Sequence, residues 1–259
     1  MTLPPTLQSE YRDGIALLRL SRPQKRNALD AAMIDGIGRF FGALPKGTRA
    51  VVLHAEGDHF SAGLDFSDLG ETTAFEGAMH SRLWHRNLEP VESGGIPVIA
   101  VLKGAVVGGG LELAAACHLR VAEASTFYAL PEGQRGLFVG GGASVRVPRL
   151  IGVARMMDMM LTGRTYGAAE GATIGLSQYV AADGAGLEQG LALARRVAEN
   201  ADITNFAVLN ALPLIAEADP RTGLLMESLM AGVSSSSAEA QARMRAFLEK
   251  RGAKVRHED

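Results

Sequence analysis

Residues Ile96 to Glu132 read IPVIAVLKGAVVGGGLELAAACHLRVAEASTFYALPE, and the rest of the chain can be read around this stretch. Pro97 to Leu102 is a short apolar run with the length and composition of a buried strand. Lys103-Gly104 breaks it, and Val106-Val107 leads to Gly108-Gly109-Gly110. Leu111 to Cys117 is then rich in Ala, Leu and Glu, which predicts a helix opening at the glycines. A strand that ends in glycine and turns directly into a helix presents bare backbone N–H groups, together with the positive end of the helix dipole. Such a site stabilises an oxygen that gains negative charge during a reaction.

Two carboxylates fall inside the same stretch. Glu112 lies in the first turn of the predicted helix. Glu132 follows Pro131, after a strand-like run from Leu119 to Leu130, where the pattern marks another helix start. Taken singly, either acid is explained by the preference for negative charge in a first helical turn, and glycine triplets are common in turns. The combination is more specific: GGG-Leu-Glu, then Pro-Glu about one strand later.

Composition narrows the classes. At 259 residues the chain holds one large domain or a domain with an appended piece, and 47% apolar residues supply an ample core. A formal charge of -2 at pH 7 argues against nucleic-acid or membrane-surface partners. The lone cysteine leaves no intrachain disulfide and no Cys-rich metal site, and no metal is expected. The start, MTLPPTLQSEYRDG, is unlike a signal peptide, and no apolar run reaches membrane-spanning length. The expectation is a cytoplasmic protein.

Outside the central stretch, Gly14–Leu20 and Ala50–Ala55 read as strands, and Gln24 to Asp30 leads into a helix running to about Leu44. Glu56 to His59 forms a turn before Phe60–Asp68 (FSAGLDFSD). Leu69 to Leu88 is polar, with His80, Trp84 and His85 near helical spacing. No acidic or cysteine partner sits at ligand spacing, so a packed surface helix is expected there, ahead of a turn at Glu92–Gly95. His118 is expected as a satisfied structural histidine at a helix C-terminus, where a cation is favoured, Cys117 as a buried small residue, and Met156–Met160 as core or subunit packing. Leu187–Asn200 is amphipathic. From Thr204 the pattern is helical (205–216, 222–231 and 238–250), with Ser234–Ser237 as a polar hinge and a frayed tail from Gly252.

Four segments, Ser61-Ala62-Gly63-Leu64-Asp65, Ile96–Ala100, Gly108–Ala114 and Leu130-Pro131-Glu132, together resemble the enoyl-CoA hydratase/isomerase (crotonase) superfamily. The match is colinear from about Ile15 to the C-terminus. It implies an α/β fold: a crotonase-like spiral of ββα units (1–200) holding the acyl-CoA site, then a C-terminal helical trimerisation region (201–259). It also implies a homo-oligomer, trimer or dimer of trimers, and an acyl-CoA substrate whose CoA is not a separate cofactor. By the same resemblance the backbone N–H groups of Leu64 and Gly109 form an oxyanion hole. Lys25, Arg26, Ala28, Ala62, Asp65 and Gly108 contact substrate or CoA. Glu112 orients and activates water, and Glu132 protonates the α-carbon of a 2-enoyl thioester.

Having both acids favours an enoyl-CoA hydratase of fatty acid metabolism. Hydroxycinnamoyl-CoA hydratase/lyase, enoyl-CoA isomerase, acyl-CoA hydrolase and a non-catalytic CoA-ester binder stand as alternatives on the same scaffold. The chain departs from its relatives at Val139, where Pro is usual, at Gly142-Ala143-Ser144, where Gly-Gly-Thr is usual, and at His118, more often Asp. The first two departures bear on substrate choice more than on the reaction.

Overall fold

The computed structural model describes residues 2–68 and 73–249. The chain divides into two compact units, Met1–Ala198 and Glu199–Asp259. The first carries strands β1 (Leu7–Arg12), β2 (Ile15–Leu20), β3 (Ala50–Ala55), β4 (Val98–Leu102), β5 (Ala105–Val107), β6 (Leu119–Glu123), β7 (Phe127–Ala129), β8 (Tyr166–Gly167) and β9 (Tyr179–Ala181). Its helices are α1 (Ala31–Gly42), α2 (Ala74–Ser93), α3 (Gly109–Ala116), α4 (Ala143–Ile151), α5 (Val153–Thr162), α6 (Ala168–Ile174) and α7 (Gly186–Ala198).

A six-stranded sheet has the order β1-β2-β3-β4-β6-β9, antiparallel only between β1 and β2. Its central strands are covered on both faces, which is why AVVLHA and VIAVL are near-continuous apolar runs without alternation. One face carries Leu18, Leu53 and Ala100 into the main core with α1 and Trp84 of α2. The other carries Ile15, Val52, Ile99 and Val101 against Leu193 and Ala194 of α7. Helix α7 lies flush because Gly190 has no side chain: a Cβ there would sit 2.6 Å from Val101 Cγ2.

The run from Leu119 to Leu130 is not one strand. It breaks at a turn closed by Thr126 N–H donating to Glu123 O (2.9 Å), and Thr126 Oγ1 donates to Leu102 O (3.1 Å). β6 stays in the large sheet, whereas β7 pairs in parallel with β5 in a separate three-stranded sheet, β5-β7-β8. The break falls at Glu123-Ala124-Ser125-Thr126, the polar interruption between two apolar runs. The break positions the site: β5 and β7 end side by side, and Gly108 N–H donates to Ala129 O at 2.9 Å. The chain segments carrying Glu112 and Glu132 therefore leave adjacent strand ends.

Other expectations are corrected. Glu92 and Ser93 are not a turn but the last residues of α2, a 20-residue helix opened by a Thr73/Glu76 capping box. His118, just past the end of α3, is a satisfied structural histidine as expected, but it is not the cation expected to favour that place: Val98 N–H donates to its Nδ1 (3.0 Å), so Nε2 carries the proton toward Glu92 O (3.0 Å). Burial holds its pKa below the usual histidine value, consistent with a neutral bridge. Cys117 is buried, and that burial pushes its thiol up to about 12. In the methionine cluster Met156 and Met159 enter the core and Met157 is exposed.

The second unit is helical: α8 (Asp202–Phe206), a π-helical turn at Ala207–Ala211, α9 (Leu212–Glu217), α10 (Pro220–Ser236) and α11 (Ala238–Leu248). The expected hinge at Ser234–Ser237 shrinks to one residue. Ser234–Ser236 complete α10, and Ser237 caps α11 by accepting from Ala240 N–H at 3.1 Å. The expected tail from Gly252 and residues 69–72 lie outside the described residues. Among the described residues no helix is long and apolar enough to cross a membrane.

Candidate active site

A cavity of about 980 Å³ lies in the first unit, with Leu64, Trp84, Gly109, Glu112, Glu132 and Phe138 among its lining residues. The FSAGLDFSD loop reaches it by pairing with β5: Ser61 N–H donates to Ala105 O (2.9 Å) and Val107 N–H to Ser61 O (3.1 Å). Leu29 N–H donates to Gly63 O and Asp65 N–H to Leu29 O, so the bridge to Leu29 passes over the Leu64 amide. Gly109 is the first residue of α3, where an amide has no intrahelical acceptor. Among the described residues, neither N–H donates to a backbone carbonyl outside regular elements. The two are neighbours: a Cβ on Gly63 would lie 3.2 Å from Gly109 N, and one on Gly109 would lie 3.3 Å from Leu64 N.

The glycine triplet is required position by position. Gly108 has φ 51° and ψ −119°, a backbone state that excludes other residues, and a Cβ there would meet Glu132 Oε1 at 2.5 Å. A Cβ on Gly109 would meet the Trp84 ring at 2.6 Å, and one on Gly110 would meet Ser61 O at 2.6 Å. Trp84 is itself buried, only 3% exposed, and its Nε1–H donates to His80 Nε2 at 3.2 Å.

The two acids face the same cavity in different settings. Glu112 Oε1 accepts from Gly141 N–H (2.7 Å) and Ala143 N–H (3.1 Å). Burial pushes its pKa up, opposed by the Ala143 and Gly141 amides and by Arg146. Glu132, at the start of a 3₁₀ turn (Gly133–Arg135), has a buried Oε2 without a hydrogen-bond partner among the described residues. Burial raises its pKa; its own backbone N–H opposes this, and the neighbouring Glu112 raises it further. Two carboxyls facing one another share their protons unequally. The amides favour the charged form of Glu112, whereas Glu132 Oε2 has no such donor among the described residues.

Of the residues expected to contact substrate or CoA, Ala62, Asp65 and Gly108 line the cavity, while Lys25, Arg26 and Ala28 do not. Lys25 and Arg26 are exposed on a 3₁₀ turn (Pro23–Lys25), and Arg26 O accepts from Ala62 N–H at 2.9 Å. Asp65 is a buried brace. Its Oδ1 accepts from Ser67 Oγ (2.7 Å) and Ser67 N–H (3.0 Å), and Arg22 Nη1 lies 2.6 Å from Oδ2. The Ser67 hydrogen bonds, with Arg22, hold the carboxyl far below the usual range. Arg22 Nη1 also donates to Ala28 O at 3.1 Å, tying both residues to one guanidinium.

The resemblance implied that the 69–88 segment and the loop at 139–144 lie beside the acyl pocket, but named none of their residues as a contact; α2 and the 139–141 residues do line the cavity. Gly77, His80, Ser81 and Trp84 face the cavity at the i, i+3, i+4, i+7 spacing of one helical face, which was the available signal. Gly141 and Ala143 act through backbone amides, which leave no signature in side-chain identity.

The family model described as "Enoyl-CoA hydratase/isomerase" matches residues 10–258. A "probable enoyl-CoA hydratase" of Bacillus subtilis (strain 168) is 32% identical, covering 92% of this chain and 93% of its own length. A crystal structure described as a "putative enoyl-CoA hydratase" from Rhodopseudomonas palustris CGA009 superposes with a TM-score of 0.94 at 57% identity, covering 98% of this chain and 100% of that one. A similarly described protein from Thermobifida fusca YX, in complex with acetoacetyl-CoA, gives a TM-score of 0.80 at 25% identity over 88% of this chain and 94% of its own. The chain belongs to the enoyl-CoA hydratase/isomerase family and has the crotonase fold.

Proposed function

We propose that the protein is an enoyl-CoA hydratase, adding water across the 2,3 double bond of a 2-enoyl-CoA thioester. The observation that carries this reading is the asymmetry of the acid pair: a Glu112 held by two loop amides, and a Glu132 whose buried Oε2 has no partner among the described residues, line the cavity that the Leu64 and Gly109 amides reach. The thioester oxygen sits between those two amides, which form the oxyanion hole; each such donor is worth about 10²–10³ in rate. Glu112 takes a proton from water, whose oxygen bonds to C3. The π electrons move toward the thioester oxygen, and Glu132 delivers its proton to C2. The net change is addition of H and OH, and the proton gained by Glu112 returns to Glu132 before the next cycle. Hydration is not a redox reaction and calls for no separate cofactor.

The acetoacetyl-CoA held by the Thermobifida relative supports a CoA thioester as the substrate class. Lys25 and Arg26, exposed on the turn whose Arg26 carbonyl accepts from the cavity-lining Ala62, are assigned to the CoA phosphates. Exposed Leu224, Leu225, Leu229 and Val233 on α10 support a homo-oligomer, trimer or dimer of trimers.

The test is loss of the ultraviolet absorbance of crotonyl-CoA, with mass analysis showing a product heavier by one water. Glu132→Gln is expected to lower kcat by about 10²–10⁴, the value of a positioned acid or base. A Glu132→Gln variant that hydrates normally would sink the mechanism.

A further inference from the structure

Arg146 takes no part in the steps above, yet its guanidinium is bonded into the loop that holds Glu112. It lies in the first turn of α4, with its side chain 10% exposed. Nε contacts Glu92 Oε2, from the last turn of α2, at 2.7 Å. Nη1 donates to Gly141 O at 2.9 Å, and the N–H of that same Gly141 donates to Glu112 Oε1 at 2.7 Å. On the neighbouring carbonyl, Ser81 Oγ donates to Gly140 O at 2.6 Å. Gly142 sits at φ 108°, and a Cβ there would collide with the guanidinium. Side chains from α2 and α4 thus hold the carbonyls of Gly140 and Gly141, while the amides of Gly141 and Ala143 converge on one carboxylate oxygen. A loop of three consecutive glycines has no stiffness of its own to keep two amides in that register.

The geometry points to Arg146 as a positioning residue for Glu112, acting through Gly141 and tethered by Glu92. The guanidinium also supplies positive charge near a buried carboxylate that burial would otherwise neutralise. The remaining neighbours do not substitute for it. Glu132 bears on the pair with the opposite sign, Trp84 and Ser81 are neutral, and Glu92 is paired with Arg146 itself. A lysine would keep the charge but could not bridge Glu92 and Gly141 with fixed geometry.

The experiment uses the full chain and the variants Arg146→Gln, Arg146→Lys and Glu92→Gln. It measures kcat and KM for crotonyl-CoA across pH, and the infrared carboxyl band of Glu112, assigned by its loss in Glu112→Gln, during a pH titration without substrate. Its kinetic half rests on the hydratase reading; the infrared half does not. For Arg146→Gln, kcat is expected to fall about 10- to 100-fold, part of what a positioned base contributes, with KM changed less than about threefold. The acid limb of its kcat profile, and the infrared titration, are expected to move to higher pH. Arg146→Lys is expected to keep the limb near its original position while losing part of kcat, and Glu92→Gln to lower kcat with the limb unmoved.

A normal pH profile and normal infrared titration in Arg146→Gln would overturn the assignment, as would a loss confined to KM. If circular dichroism shows that Arg146→Gln does not fold, the lysine and Glu92 variants decide: a lowered kcat with KM little changed upholds the assignment, and an unchanged kcat in both, or a loss confined to KM, overturns it. Absence of turnover in the unsubstituted protein would defeat the hydratase reading and leave the infrared comparison to judge Arg146.

Discussion

The cavity has two walls built in different ways. One is local in sequence: β5 runs through Gly108–Gly110 into α3, and β7 runs through Leu130-Pro131 to Glu132, so both acids and the Gly109 amide come from 28 residues. The other is assembled from afar, by α2 (Ala74–Ser93) and the loop at 139–143, and contributes Trp84, Ser81 and the amides that hold Glu112. The first wall carries the reacting groups. The second holds their geometry and shapes the space for the acyl group. The lesson is that the residues which do chemistry and those which keep it aligned are separated in sequence even where they touch in space.

Among variants that probe how the two walls are joined, the largest effect is expected where they meet. Gly109→Ala drives a Cβ to 2.6 Å from the Trp84 ring, and displacement of the donor amide is expected to lower kcat by about 10²–10³. The steady-state rate on crotonyl-CoA checks this, and the double variant Gly109→Ala/Trp84→Ala is expected to recover part of the loss. No recovery would mean that the walls are not coupled through this contact.

Trp84→Ala alone removes the buried indole between Gly109 and Gly141. Destabilisation of about 3–5 kcal/mol is expected from the cavity left behind, read by denaturant melts. A profile of kcat/KM against acyl length is expected to shift toward longer thioesters. An unchanged length profile would remove the second wall from substrate selection.

A smaller effect separates the two acids through stability. Burial raises the pKa of Glu132, so its ionised form is the disfavoured one in the folded protein. Its cost is absent while the group is protonated in both states. It grows as pH rises through the ordinary carboxylate range, where the unfolded chain ionises, toward the folded pKa. Glu132→Gln is therefore expected to be more stable than the parent near neutral pH by about 0.5–2 kcal/mol, as is common when an active-site group is neutralised. The gain is expected to vanish in acid. Thermal melts at both pH values check it, and an equal gain at both would show that the carboxyl carries no burial cost.

The helix opening at the glycines, with a bare amide in its first turn, was legible in the sequence because it depends on neighbours within a few residues, whereas the choice of the Gly109 amide and the roles of the two acids came only through the family resemblance. Glycine breaks a strand, Ala-Leu-Glu runs form a helix, and a first-turn amide lacks a partner wherever that helix is placed. Tertiary structure alone decided the rest. It broke the 119–130 run so that β7 left the large sheet for β5, and it made His118 a neutral bridge between Val98 and Glu92. It turned Asp65 into a buried partner of Arg22, and brought Gly141 and Ala143 onto Glu112. The reason is the same in each case: these contacts join residues 20 to 43 positions apart, through backbone groups or paired charges. Composition and periodicity report how a segment folds, not which distant segment its polar groups will meet.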